Sequence, residues 1–590
     1  MTATTRLTGP VASAAGSRPP RPRPRWTVSE PPPAQVIATL AQSLQLSLVA
    51  AQLLAARGHV EPERAKLFLR PKLERLNDPR SMGGMDVAVE RLARAVKGGE
   101  MVLVHGDYDV DGMCSTTLLV RLLREGGGCV TPFIPSRLTD GYDLTMAGVR
   151  AAQSCGATVV VTCDCGTSAL EPIAALTALG IDTIVTDHHL PGGPLPDCLS
   201  VLNPRAPGNG YPDADLAAVG VAFQLARALA PAIGVSEGFV FRMLDLVALA
   251  TIADVAPLRG ENRIFARFGL RMMAETENAG LRALIRASGL EGKPMTAGRV
   301  GYILAPRLNA VGRLGNALRG VELLLCTSEA SANPIARDLE ELNRKRQEMD
   351  KETLAAARLL LDTLDFGATR GLVLAAEGWH PGVIGIVASR VVEETGRPAV
   401  LIALQNGEGK GSGRSISAFD LHSALTECKD LFVRYGGHRV AAGVTMREER
   451  VAEFAERFNA VACARLTDND LVPELRVDLA LDLSEATEEL GSILRHFEPF
   501  GIGNPGPLFA SRGVQLLAAP KRIGTDGIKL RLAAGAGELE AIGWGMAPLA
   551  EGLRGGETLD VAWRLERDEY QGRDRLQAKL ADLVRPRTER

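Results

Sequence analysis

Three clusters of carboxylates and imidazoles are the residues most able to do chemistry: His105-Gly-Asp-Tyr-Asp-Val-Asp-Gly112, Cys163-Asp-Cys165 and Asp187-His188-His189. In the first, His105, Asp109 and Asp111 are spaced by four and then two, which points several side chains to one side of a strand-to-loop exit. Oxygen and nitrogen ligands delivered by separate strands are how a protein builds a binuclear Mn²⁺ or Mg²⁺ centre. Two such ions a few ångströms apart make water acidic near neutral pH and neutralise charge growing on a phosphoryl oxygen, so the reaction class indicated is phosphodiester hydrolysis. The Asp-x-Asp-x-Asp-Gly run is not read as an EF-hand calcium loop, because the downstream Glu and the flanking helices of that motif are missing.

Each cluster follows an apolar run of strand type, over 101–104, 157–162 and 181–186, and helical patterns cover 112–125 and 168–180 between them. Strand alternating with helix predicts a parallel sheet with its functional groups at the carboxyl ends, where open α/β sheets bind ligands, so the three clusters are expected to converge. Further helices are expected over 216–229 and 239–253, the second ending at Asp254, a fourth acidic candidate. Asp187, beside two imidazoles, has the type and place of a carboxylate that orients a ligand histidine.

With 590 residues the chain exceeds what one hydrophobic core supports, and several domains are expected. A formal net charge of −3 excludes a uniformly basic nucleic-acid coat but leaves room for a local basic track. The nine cysteines form no paired CxxC zinc pattern and read as reduced thiols of a cytoplasmic protein. No run of about 18 apolar residues suggests a membrane span. Residues 1–33, rich in Pro and Arg, read as a disordered tail, and 34–85 as a helical lead-in to the first large domain. That domain is placed at 86–330. A long charged helix is expected over 331–366, capped by Asn333, with Pro334 at its first position and Gly367 just past its end. A second α/β region follows at 367–470, with strands over 371–376 and 398–404 flanking a helix over 382–395. From 471 to 590, alternating segments over 513–517, 528–532, 538–544 and 558–565, separated by Gly-rich turns, suggest a small β-barrel. Lys521, Arg522, Lys529 and Arg531 fall on and around its strands.

These motifs resemble those of the DHH phosphoesterase superfamily, with Asp187-His188-His189 as the naming motif. Tyr211-Pro212 with Leu216-Ala-Ala-Val-Gly220, Pro306-Arg-Leu-Asn-Ala-Val-Gly-Arg313, Gly378-Trp-His-Pro-Gly-Val-Ile-Gly385, Gly411-Ser-Gly-Arg-Ser415 and Gly436-Gly-His-Arg-Val-Ala-Ala-Gly443 are similar, in order and spacing, to its single-stranded-DNA-specific exonucleases over roughly residues 70 to 585. The resemblance implies an α/β protein: a DHH-type parallel-sheet domain, a second α/β domain of DHHA1 type joined by the long helix, and a C-terminal OB-like barrel. It implies two divalent ions, Mn²⁺ or Mg²⁺, one held by His105, Asp109 and Asp164 and the other by Asp111, Asp164, His188 and Asp254. His189 would then donate to the scissile phosphate or leaving oxygen, with Asp187 and Asp107 assisting. Arg137, Arg313, Ser412 and Arg414 would hold a terminal 5′ phosphate, and Gly437, His438 and His380 would contact the nucleotide. The implied activity is 5′-to-3′ degradation of single-stranded DNA to mononucleotides in DNA repair and recombination, with a helicase and a single-strand-binding protein as implied partners and no membrane. The runner-up reading is a phosphodiesterase of the same superfamily acting on short oligonucleotides or cyclic dinucleotides. Two positions depart from the pattern: Asp143 stands where relatives often carry a small residue, and Leu314-Gly-Asn316 lacks an acidic residue. Aromatic content is only 4%, so stacking by many rings cannot carry strand binding.

Overall fold

A computed structural model describes residues 22–137, 139–568 and 574–586. The chain divides into two compact units: Val28–Leu342 with Val477–Arg590, and Asn343–Arg476 with the N-terminal residues up to Thr27.

The first unit is organised by a five-stranded sheet in the order Cys129–Phe133, Met101–Gly106, Val159–Cys163, Asp182–Thr186, Ser200–Leu202, every pair of neighbours parallel. Both faces are buried, as in parallel sheets generally: Val102, Val104, Val159, Val161 and Ile184 enter one core, and Leu103, Val160 and Val185 the other. The chain starts in the interior of this sheet, moves to one edge and then crosses to the far side. The switch point therefore lies between Met101–Gly106 and Val159–Cys163, where such sheets open a ligand crevice. The helix Val110–Glu125 follows the first strand; the expected helix over 239–253 is two segments, Glu237–Phe241 and Leu244–Ala253.

The barrel expected at the C-terminus is a seven-stranded sheet ordered Leu479–Ala480, Phe509–Gln515, Thr558–Asp568, Arg575–Val584, Gly537–Gly543, Gly527–Ala534, Lys521–Ile523. It closes where Leu516 bridges Leu532. Its core holds Trp563, whose indole N–H donates to Ser511 Oγ at 2.8 Å. The same core takes in Leu40, Leu53 and Leu54 from the helices Ala34–Leu44 and Leu48–Ala56. The first part of the expected lead-in, up to Leu69, is thus packed on the barrel, while Leu76, Met82 and Met85 enter the core of the parallel sheet. Arg57 fastens it there, donating to Asp478 at 3.0 and 3.2 Å and to Asn504 at 3.0 Å.

In the second unit the sheet order is Arg434–Gly437, Ala441–Arg447, Glu408–Arg414, Ala399–Gln405, Leu372–Glu377, with only the last pair parallel. Two boundaries differ from expectation. The tail is not wholly disordered, because Arg25–Val28 is a strand paired with Glu474–Val477; residues 1–21 lie outside the described residues. The long helix is Glu329–Leu361, with Pro334 inside it rather than at its start. Ser328, not Asn333, accepts from an early backbone N–H, that of Ser331 at 3.3 Å. A proline so near a helix start removes one ladder bond and leaves the rest intact.

Candidate metal centre

The carboxyl edge of the parallel sheet places its acids by register. Gly106 pairs with Cys163, Cys163 with Thr186 and Thr186 with Leu202, so the next residues, Asp107, Asp164, Asp187 and Asn203, form one row. Backbone bonds continue the ladder through that row: Asp107 N–H to Cys163 O at 3.2 Å, Asp164 N–H to Thr186 O at 2.9 Å, and Asp187 N–H to Leu202 O at 3.1 Å. Asp164 adopts φ 64°, a left-handed conformation that costs an ordinary residue about 1–3 kcal/mol and marks functional turns.

Around this row, three sets of ligand atoms each lie within 4.8 Å of one another: Asp107, Asp109 and Asp164; Asp164, His188 and His189; Asp111, His188 and Asp254. His188 Nε2 is 3.2 Å from Asp164 Oδ1 and 3.8 Å from Asp254 Oδ2. Asp164 is common to two of the sets and His188 to two, which joins them into one centre. His105 is in none of them: it is buried at the strand end, its Nδ1 3.5 Å from Cys165 Sγ, and Asp107 stands with Asp109 and Asp164 where the resemblance implied His105. Gly148 lies against that imidazole, for a Cβ there would meet His105 Cδ2 at 2.7 Å.

The donor set fits divalent ions. Asp107 Oδ1, Asp164 Oδ1, His188 Nε2 and His105 Nε2 are buried, and apart from the 3.2 Å approach of His188 Nε2 to Asp164 Oδ1, which lacks hydrogen-bond geometry, they have no partner. Unpartnered buried polar atoms are costly, and four gathered at one sheet end call for a cation. Burial, and next the Asp109 charge, raise Asp107, Asp111 and Asp164 above the usual carboxylate range, Asp111 to about 7. Asp254 is raised by burial and then by Asp111. Burial lowers His105 to about 4, and burial with the neighbouring His189 charge lowers His188 to about 3, leaving both imidazoles neutral, the form that ligates a metal.

Each acid is also tied down. Asp109 caps the helix Val110–Glu125 through Asp111 N–H and Gly112 N–H. Asp111 accepts Ala218 N–H and Val219 N–H, both at 2.8 Å, at the start of the helix Ala218–Leu229. Asp187 is a different kind of carboxylate: it accepts from Thr167 N–H, His188 N–H and His189 Nδ1, and despite burial these bonds hold it below its ordinary range. Burial opposes charge on His189, but the 2.7 Å bond to Asp187 outweighs it and raises the imidazole to about 9. Its other nitrogen is 3.0 Å from the Tyr142 hydroxyl, a partner that sequence reasoning did not single out. Asp143, the first departure from the pattern, accepts Gly166 N–H at 2.6 Å and so braces the turn after Asp164; Asn316, the second, accepts Leu318 N–H at 3.0 Å.

Arg137 and Arg313 line a cavity of about 200 Å³ together with Asp109, Asp111 and Asp254. Tyr108 and Asn309 also line it; both sit inside motifs already noted, at positions whose type alone gave no signal. The remaining substrate candidates are in the second unit. Ser412 and Arg414 lie on Glu408–Arg414, and a Cβ on Gly385 would meet Ser412 Oγ at 2.9 Å and Arg414 Nη2 at 3.2 Å. They therefore sit against the N-terminal turn of the helix Ile384–Thr395, a ready anion site. His438 is exposed in the turn of the hairpin Arg434–Gly437 and Ala441–Arg447, its backbone N–H bonded to Ala441 O at 2.7 Å. Gly437, at φ 138° and with backbone 2.5 Å from any Cβ, is required by that turn. His380 Nδ1 accepts Gly382 N–H at 3.0 Å and holds the turn before the helix.

Comparison with known proteins places this arrangement among characterised ones. Residues 101–251 match the DHH family N-terminal domain, 368–463 the DHHA1 domain and 477–582 the RecJ OB domain. The chain is 35% identical to the single-stranded-DNA-specific exonuclease RecJ of Bacillus subtilis over 95% of this chain and 71% of that protein. The crystal structure of Thermus thermophilus RecJ in complex with Mn²⁺ is similar with a TM-score of 0.83 at 34% identity, covering 96% of this chain and 80% of that one. The Mg²⁺ complex of the same protein is similar with a TM-score of 0.77 at 32% identity, covering 96% and 79%.

Proposed function

The chain belongs to the RecJ family of single-stranded-DNA-specific exonucleases, and on that premise we propose that it removes nucleotides from the 5′ end of single-stranded DNA with two divalent ions, Mn²⁺ or Mg²⁺. The observation that carries this reading is the largely buried centre of Asp107, Asp109, Asp111, Asp164, His188 and Asp254, three of whose atoms, with the adjacent His105 Nε2, have no hydrogen-bond partner. Ions bound there would lower the pKa of an attacking water and offset charge on the phosphoryl oxygens.

The side chains supply the rest. Asp164 and His188 together join the centre: Asp164 stands with Asp107 and Asp109, His188 with Asp111 and Asp254, and the two lie in one set with His189. His105 stands behind them as a buried neutral base whose Nε2 is available for a ligand. His189, charged and aimed by Asp187, presents Nε2 beside Tyr142, so a proton is held where a phosphoryl or leaving oxygen can take a bond. Arg137 and Arg313 flank the same cavity and are read as holding a terminal 5′ phosphate. Ser412 and Arg414, at a helix N-terminus, receive the 5′ phosphate that fixes strand polarity, while Gly437 and His438 meet the nucleotide backbone. The work is placed in the cytoplasm, where a helicase that opens duplexes and a single-strand-binding protein are the partners such a substrate calls for.

Matched 5′-labelled and 3′-labelled oligonucleotides, single-stranded and duplex, digested with Mn²⁺ test this directly. The 5′ label is expected to appear at once as mononucleotide and the 3′ label to shorten in a ladder, with blunt duplex resistant. Release of the 3′ label first, or equal attack on duplex, would overturn the proposal.

A further inference from the structure

The segment that leaves the metal centre after Asp254 is held by the C-terminal domain. Asp254 ends the helix Leu244–Ala253, and the next helix, Gly260–Ala274, begins only six residues later. Between them Val255 takes φ 61°, a left-handed conformation normally left to glycine at a helix end and unfavourable for a β-branched residue. A strained turn persists only where its surroundings fix it. The helix end closes the turn locally, with Val255 N–H to Ile252 O and Ala256 N–H to Thr251 O, both at 3.2 Å, and the loop before the barrel strands holds the residues just beyond it. Leu258 N–H donates to Ile502 O at 2.7 Å, and Arg259 Nε donates to Gly503 O at 3.0 Å. The approach is close because two glycines line it: a Cβ on Gly501 would meet Leu258 Cδ1 at 2.7 Å, and one on Gly503 would meet Pro257 Cβ and Arg259 Nε at 3.1 Å.

The loop itself is rigid. Gly501 and Asn504 exchange backbone bonds at 2.9 and 3.1 Å, and buried Asn504 donates to Phe497 O at 2.8 Å and Pro499 O at 2.9 Å. Arg263, on the helix that follows the segment, donates to His496 O and Glu498 O, both at 3.0 Å, which clamps the same junction from the other side.

We propose that Gly501–Asn504 is a positioning element for the metal centre: by bonding to Leu258 and Arg259 it holds the strained turn at Val255 and so aims Asp254 at the ion shared with Asp111 and His188. The C-terminal domain thereby contributes to the chemistry and not only to strand binding. This rests on the reading of Asp254 as a metal ligand.

The test is Mn²⁺ affinity of the full-length protein, measured by calorimetry without DNA, for the wild type, Gly501→Val, Arg259→Ala, Gly501→Val with Val255→Gly, and Asp254→Asn. Supports of metal ligands typically alter affinity by about 10–100-fold, so Gly501→Val is expected to weaken Mn²⁺ binding by about tenfold and Arg259→Ala in the same direction. Glycine adopts the left-handed turn without outside help, so Val255→Gly is expected to restore the affinity of Gly501→Val. Unchanged affinity in Gly501→Val and Arg259→Ala, or a loss that Val255→Gly does not rescue, would overturn the positioning role. Unchanged affinity in Asp254→Asn would instead overturn the ligand reading beneath it. Should Gly501→Val fail to fold by circular dichroism, Arg259→Ala alone decides, since it removes one bond without adding bulk.

Discussion

The sheet end and the barrel treat charge in opposite ways. At the sheet end, Asp107, Asp164 and His188 are buried with atoms that have no hydrogen-bond partner, and burial, then the Asp109 charge, pushes the carboxylates toward the neutral form. On the barrel, Lys529 pairs with Glu540 at 2.8 Å, Lys579 with Glu566 at 3.3 Å and Arg585 with Glu557 at 3.0 Å, all in part solvated and locally balanced. Balanced surface pairs contribute little, about 0–1 kcal/mol each, and ask for no ligand. Unbalanced buried groups lower the stability of the empty site, and a bound cation removes that deficit. The contrast separates residues kept for chemistry from residues that keep a surface soluble.

The largest break in this contrast comes from Asp164→Ala, which removes the carboxylate common to two of the ligand sets. Hydrolysis of a single-stranded oligonucleotide under saturating Mn²⁺ is expected to fall by about a hundredfold or more, while circular dichroism stays native. Retention of more than about a tenth of the rate would mean that the centre is not joined through Asp164.

A smaller effect is expected at Arg414. A charge-assisted bond contributes about 1.5–3 kcal/mol, so Arg414→Ala should cost about 10–100-fold on 5′-phosphorylated strands and much less on 5′-hydroxyl strands. Equal losses on both would assign Arg414 to support of its strand, where it also donates to Gly413 O at 2.7 Å.

The deficit at the sheet end also has a pH signature. Asp111 is raised from 3.8 to about 7, by burial and then by Asp109. Between those values the folded state keeps a proton that the unfolded chain has released, so the metal-free protein loses stability as pH rises through that window, and no further from this group above it. Melting of metal-free wild type and Asp111→Asn across pH 5–8 reads the difference in slope: the wild type is expected to fall more steeply up to about pH 7. Parallel profiles would mean that Asp111 titrates normally.

The weakest effect sharpens the barrel side. Lys521 and Arg522 are exposed on the edge strand Lys521–Ile523, whereas Arg531 is engaged with Glu538. Replacing Lys521 and Arg522 by Glu should raise the concentration of a thirty-nucleotide strand needed for half-maximal rate and flatten its salt dependence by about 0.7 per lost phosphate contact, with little change on a five-nucleotide strand. A thirty-nucleotide salt slope equal to wild type would remove this face from the DNA path.

Much of the site was legible because it depends on local rules. Continuous apolar runs leading to Asp mark the ends of strands buried on both faces, and right-handed crossovers bring Asp107, Asp164 and Asp187 to one edge. His105 is less plain: its type suits a ligand and its Nε2 is buried without a partner, yet it stands outside the three sets of converging ligand atoms. Long-range partnerships left no local trace. An amphipathic helix such as Ala34–Leu44 announces that it has an apolar face, not that the face belongs to the barrel. Arg25–Val28 is too short to stand out before its partner strand is known. The turn at Val255 was invisible for the same reason, since the residues just beyond the left-handed valine are held by neighbours remote in sequence.

The most direct test of a cation centre built from protonatable, unpartnered ligands is calorimetric titration of the metal-free protein with Mn²⁺ at pH 6.5 in buffers of differing ionisation enthalpy. Carboxylates raised toward neutrality must lose protons when the ions bind. The account predicts two Mn²⁺ per chain with net proton release, both reduced in Asp164→Ala. Binding without proton release, or with a stoichiometry that Asp164→Ala leaves unchanged, would contradict it.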